Sequence, residues 1–186
     1  MTGAIARRAA RKTMNPDPDP DRRASIVIDL AIPHARWRRA LPRVESIARE
    51  AALAALEKSG PKRGAAELSL VLTNDEAVAA LNERWRHRAG PTNVLAFASE
   101  ERPAPPAPLM LGDVVLAYET VAKEAKEQGK TLPDHLRHLI VHGVLHLLGY
   151  DHGAAGPARR MEALETRILA TLGVADPYRV REDVHG

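Results

Sequence analysis

A helix carrying histidines along one face constrains this chain more than any other feature. From about Pro133 to Leu148 the residues are mostly apolar, and Gly149 stands where a helix end accepts a left-handed residue. His142 and His146 lie four apart on this predicted helix, so both rings sit on one face within reach of one ion. Gly149 turns the chain back, which lets His152 approach the same ion from the loop. Three nitrogen ligands leave a fourth tetrahedral corner for water, the arrangement of a catalytic rather than a structural zinc. The chain has no cysteine, so disulfides and thiolate sites are excluded, and a transition metal must be held by His with Asp or Glu.

Other histidines compete for the role. His135 and His138 lie on the same helix, and His138, His142 and His146 follow at steps of four. His138 and His146 are separated by about 12 Å of rise and cannot share an ion. The pair His142/His146 has a turn and a further histidine after it, and the pair His138/His142 has none. Asp151 reads either as an acceptor that orients a ligand or as a turn residue, and the sequence does not separate the two.

Around this helix the chain reads as α+β. Ser25 to Ile32 alternates like a strand, and a helix with Pro42 in its first turn ends near Lys58, leaving Trp37 in a turn before it. Glu67 to Thr73 is a second strand, and Thr73–Glu76 caps a helix of about Asp75 to Arg86. Asn93 to Phe97 and Leu111 to Leu116 are further strands, separated by a stiff Pro-rich loop over 101–108. Helices follow from near Tyr118 to Gln128 and from near Pro157 to Leu172. The stripe Met161, Leu164, Ile168 and Leu172 is read as core, and Arg159 and Arg160 as exposed.

One domain over 25–174 fits this pattern, with a disordered basic tail over 1–24 and a flexible tail over 175–186. The net charge of +3 resides in that first tail, which holds six Lys/Arg against three Asp, and the remainder is formally neutral. A nucleic-acid partner must therefore be argued from where charge clusters. No apolar run approaches the roughly 20 residues that span a bilayer, so the expectation is a soluble cytoplasmic protein with no membrane partner.

The run His142–His152 (HGVLHLLGYDH) shares its spacing with the metzincin protease motif, but Gly143 stands where that motif carries its glutamate base. The same run resembles the signature of the YbeY family of bacterial rRNA maturation endoribonucleases. Three further stretches match that family in order: Leu81–Arg86 (LNERWR), Pro91–Phe97 (PTNVLAF) and Leu111–Val114 (LGDV). The resemblance covers roughly residues 25–174. It implies a zincin-like fold with a small mixed sheet packed with helices, and one zinc ion per chain on His142, His146 and His152. It also implies single-strand-specific RNA cleavage in maturing the 16S rRNA 3′ end and in ribosome quality control. The partners implied are ribosomal RNA and the small ribosomal subunit, with room for a ribosomal protein or a GTPase. Asn93 stands where the family commonly has Asp, Ala96 replaces Ser, and Ala98 stands where Pro is frequent.

Arg84, Arg86, His87 and Arg88 cluster around Trp85, just before Gly90-Pro91. A guanidinium can bind the non-bridging oxygens on which charge builds during phosphodiester cleavage. The alternative is a solvated helix end, where cations are favoured, with Trp85 packed inward. The resemblance maps the family's important arginine onto Arg86 and gives it a catalytic role; Trp85 is read as core. Asp113, after a glycine on a strand, is read as a turn cap rather than a cleft residue. The leading reading is a zinc-dependent endoribonuclease. The alternatives are a non-catalytic ribosome assembly factor with a structural zinc, and a metal-dependent peptidase or other hydrolase, which Gly143 disfavours.

Overall fold

The structure is a computed structural model that describes residues 25–179 apart from 63, 102, 105, 152 and 154. The tail read over 1–24, the residues from 180 onward and the expected ligand His152 therefore lie outside the described residues. Four strands form one mixed sheet in the order β1-β2-β4-β3: β1 (Ser25–Ala31), β2 (Ala65–Thr73), β3 (Val94–Ala98) and β4 (Leu109–Ala117). β1, β2 and β4 run parallel, and β3 is antiparallel to β4 at one edge. With six helices among the described residues, the chain is α+β, as its pattern predicts.

Alternation along β4 decides which helices cover which face. Val114 and Leu116 join the main core with β2's Ala66, Leu68, Leu70 and Leu72. Val115 and Ala117 point the other way, into a small cluster with Leu95 and with Val78 of α3 (Asp75–Arg86). α2 (Val44–Ser59) and α5 (Leu132–Leu147) pack on the first face, and their buried residues belong to the main core. Fully burying a leucine or valine stabilises by about 1.5–3 kcal/mol, so this aliphatic layer is what holds α5 in place. α6 (Ala155–Thr171) adds Met161, Leu164 and Ile168 to the same core, as read from its stripe, and Arg159 and Arg160 are exposed.

Three local features differ from the reading of the sequence. Trp37 lies in a five-residue helix, α1 (Arg36–Ala40), rather than in a turn, and is fully buried with its indole N–H donating to the Thr73 carbonyl at 2.9 Å. Pro42 falls in the turn before α2, which begins at Val44. Asp113 does not cap a turn. It is a mid-strand residue opposite Ser69 and Phe97, just after a bulge at which Gly112 takes φ +129°.

The predicted helix ends hold. Asn74 caps α3, its side-chain oxygen accepting from the Ala77 N–H at 3.0 Å. Gly149 takes φ +87° after α5, and the Tyr150 N–H reaches back to the Leu145 carbonyl at 3.1 Å. That bond closes the helix. No helix among the described residues is long and apolar enough to cross a membrane.

Candidate metal centre

α5 presents His135, His138, His142 and His146 in succession, and the last two converge. The Nε2 atoms of His142 and His146 lie 3.1 Å apart. Nitrogens bound about 2.0–2.1 Å from a tetrahedral zinc lie about 3.3 Å from each other, so this spacing is close to one edge of such a site. Among the described residues no set of three potential ligands converges; His152, the expected third, is not among them.

Behind His142 stands a residue that sequence reasoning missed. The Nδ1 of His142 lies 2.7 Å from a carboxylate oxygen of Glu165, which is fully buried on α6. Burial alone would raise the Glu165 pKa. Hydrogen bonds from His138, His142 and Tyr178 overcome it and hold the carboxyl down to about 2. An ionised carboxylate only accepts, so Nδ1 of His142 is the donor to Glu165, and Nε2 is the atom that faces His146. A carboxylate behind a ligating imidazole is the arrangement that orients metal-binding histidines. The donor set therefore fits a zinc-like divalent ion.

Two further groups hold Glu165. His138 Nε2 lies 3.5 Å from its second oxygen, so His138 turns to Glu165 rather than to the His142/His146 pair. The Tyr178 hydroxyl donates to the same oxygen, and burial together with that carboxylate pushes the phenol pKa far above its ordinary value. Tyr178 belongs to the stretch read as a tail. In the folded chain Lys130 donates to the Pro177 carbonyl at 3.2 Å and Thr166 to Asp176 at 3.2 Å, so 175–179 lies against α6. A signal for Glu165 was present, since it shares the helical phase of Met161, Ile168 and Leu172.

Gly143 has a packing role. A Cβ built there would stand 2.7 Å from a Val114 methyl carbon and 3.3 Å from one of Val94. A side chain at this position would force the Val114 methyl or the helix to shift, and the glutamate base of the protease motif is absent from the sequence. Asp151 accepts from the Gly153 N–H at 3.1 Å, which is the turn role considered for it.

The basic cluster sits at the end of α3. Arg86 donates from Nη2 to the Ala96 carbonyl at 2.9 Å, bonding β3 from α3, with its guanidinium 5.8 Å from the Phe97 ring centroid. Ala96 is two residues from Val94, the β3 residue that packs at Gly143, a separation of about 7 Å along a strand. β3 thus links the arginine to α5. Trp85 is not core, contrary to the reading of the sequence. Its residue is 43% exposed, with the Arg84 guanidinium 5.1 Å from the ring centroid.

The chain matches the family described as Endoribonuclease YbeY over residues 34–173. A protein of Paramagnetospirillum magneticum with that name is 52% identical over 158 residues, covering 83% of this chain and 96% of the relative. One from Bradyrhizobium sp. is 48% identical over 145 residues, covering 76% and 86%. The chain belongs to the YbeY family. The solution structure of TM1509 from Thermotoga maritima has a similar fold, with TM-score 0.50 and 18% identity over 83% of this chain and all of that one.

Within the YbeY family motif, Asn93 departs from the common Asp, and the structure supplies a partner for the amide. Its Nδ2 donates to both oxygens of Glu124, at 3.2 and 3.0 Å. A second carboxylate at that position would repel Glu124. Glu124 in turn lies 2.9 Å from Nε2 of buried His135, whose pKa is lowered chiefly by that burial. This polar link ties the start of β3, α4 (Tyr118–Glu127) and α5 together.

Proposed function

We propose that this chain is a zinc-dependent endoribonuclease that cuts single-stranded RNA, with ribosomal RNA as substrate. Maturation of the 16S 3′ end and ribosome quality control are its proposed setting, with the small ribosomal subunit as partner and the cytoplasm as compartment. The observation that carries this reading is the pair of imidazole nitrogens 3.1 Å apart, backed by buried Glu165, in a chain whose relatives are named Endoribonuclease YbeY.

His142, His146 and His152 are the proposed ligands, the last on the strength of its place in the motif. A zinc ion there supplies Lewis acidity toward a phosphate oxygen and a water. The protein's part is to hold the ligands and meet the charge. Glu165 keeps His142 in the Nδ1–H tautomer, so no ring rotation or proton shift is needed before binding. Arg86 commits one N–H to Ala96 and retains further donors of its fork for the non-bridging oxygens as charge builds. Gly143 removes the base that a peptidase with this spacing uses, which favours RNA over peptide.

The test is incubation of ribosomal RNA with wild-type protein and a His146→Ala variant across divalent metals. Cleavage by the wild type alone is expected. Equal cleavage by both, or none, counts against the reading. Correct rRNA ends in cells carrying only a His142→Ala protein that still co-sediments with ribosomes would favour the assembly-factor alternative.

A further inference from the structure

We infer that Trp85 is a base-stacking platform for single-stranded RNA, set beside Arg86 and resting on the nuclease reading above. The ring belongs to the largest half-exposed side chain of the described residues, at 43%. The buried positions of α3 end at Asn82, one turn before it. An indole left partly in water keeps apolar surface open to a stacking partner.

The surroundings say which partner. Within Glu83–Arg88 there are three arginines and a histidine against one acid. Among the described residues, no carboxylate forms an ion pair with Arg84, Arg86 or Arg88, so their charge is not cancelled locally. Arg84 lies over the indole, as a cation does on an aromatic platform. An aromatic ring flanked by cations without a carboxylate partner suits alternating bases and phosphates of a single strand. A duplex hides its base faces and cannot use the ring.

The platform is held in shape. Asn82 is buried and bonds the turn from two sides: its Nδ2 donates to the Gly90 carbonyl at 2.9 Å, and its own carbonyl accepts from the Arg88 N–H at 3.3 Å. His87 takes the left-handed conformation at φ 54° that this turn needs, without being glycine. Arg86, the next residue along, is fixed to β3.

The chain's two tryptophans make the test direct. Trp37 is fully buried and hydrogen-bonded, so a change in tryptophan emission on adding RNA reports Trp85. The experiment titrates a short single-stranded RNA, and its duplex, into metal-loaded wild type, Trp85→Ala and Trp85→Phe. The expected result is quenching of wild-type emission by the single strand but not the duplex. Trp85→Ala should bind about tenfold more weakly, and Trp85→Phe, which keeps a stacking ring, close to wild type. Unquenched emission at saturating RNA, or a Trp85→Ala protein that binds as tightly as wild type, overturns the platform. If that variant also cleaves normally, the nuclease reading stands without it. Wild-type RNA cleavage no greater than that of His146→Ala would instead remove the nuclease reading, and the binding titration would still decide on Trp85.

Discussion

His142 Nδ1 and Glu165 Oε1 lie 2.7 Å apart, and Glu165 has no solvent exposure. The pair joins α5 to α6 and fixes which nitrogen of His142 faces His146. Replacing Glu165 by Gln keeps the shape and an acceptor but removes the charge. Metal affinity should fall by about 10–100-fold, read by competition with a chelator. Glu165→Leu should in addition destabilise the fold by about 1–3 kcal/mol in denaturant unfolding, because His142, His138 and Tyr178 lose their common acceptor. Wild-type metal affinity in the Gln variant would confine Glu165 to a packing role.

Gly143 sets how closely α5 approaches the sheet. Gly143→Ala gains about 1 kcal/mol of helix propensity. It also places a methyl 2.7 Å from Val114, and overpacking of this kind costs about 1–3 kcal/mol. A net loss of stability is expected. Adding Val114→Ala should recover part of it, so that the two changes are non-additive in thermal melts. Full additivity would mean that the helix simply shifts away.

The His142/His146 pair was legible because its logic is local: spacing of four on an apolar helix with a glycine stop. The strand and helix pattern was legible for the same reason. Glu165 is 23 residues from His142, and a glutamate on a helix reads as a solvent-facing charge until its phase with Met161 and Ile168 is noticed. Tyr178 reads as tail because nothing in its neighbours tells that α6 offers it a buried carboxylate. Trp85 misleads in the opposite sense. It shares helical phase with Val78 and Asn82, yet burial stops at Asn82, and only the tertiary arrangement decides where a helix face runs out of cover. Trp37 needed Tyr118, far along the chain, to complete its pocket, with the rings 5.0 Å apart and edge-on.

Stability should depend on pH through His135. Burial lowers its folded pKa below the ordinary histidine value, despite the nearby Glu124 carboxylate. Between the two values the unfolded chain binds the extra proton and the folded chain does not, so stability rises with pH through that window and is lost as pH falls below about 6.5. His135→Gln should flatten this part of the stability profile relative to wild type, measured by denaturant midpoints. An unchanged slope would assign the dependence to other histidines.

Arg86→Lys keeps the charge but loses the planar fork. RNA cleavage should fall by about 10²–10³-fold, the range seen when one charge-stabilising donor is removed. The thermal midpoint should stay close to wild type, since Arg86 is exposed and makes one bond to Ala96. Loss of stability in parallel with activity would mean that Arg86 serves mainly to bond β3.

Metal content tests the centre of this account most directly. Elemental analysis of the purified wild type, His146→Ala and His152→Ala should find one zinc per wild-type chain and much less in either variant. A His152→Ala protein that retains full zinc, or a folded wild type that binds no divalent metal when supplied with it, would contradict the assignment.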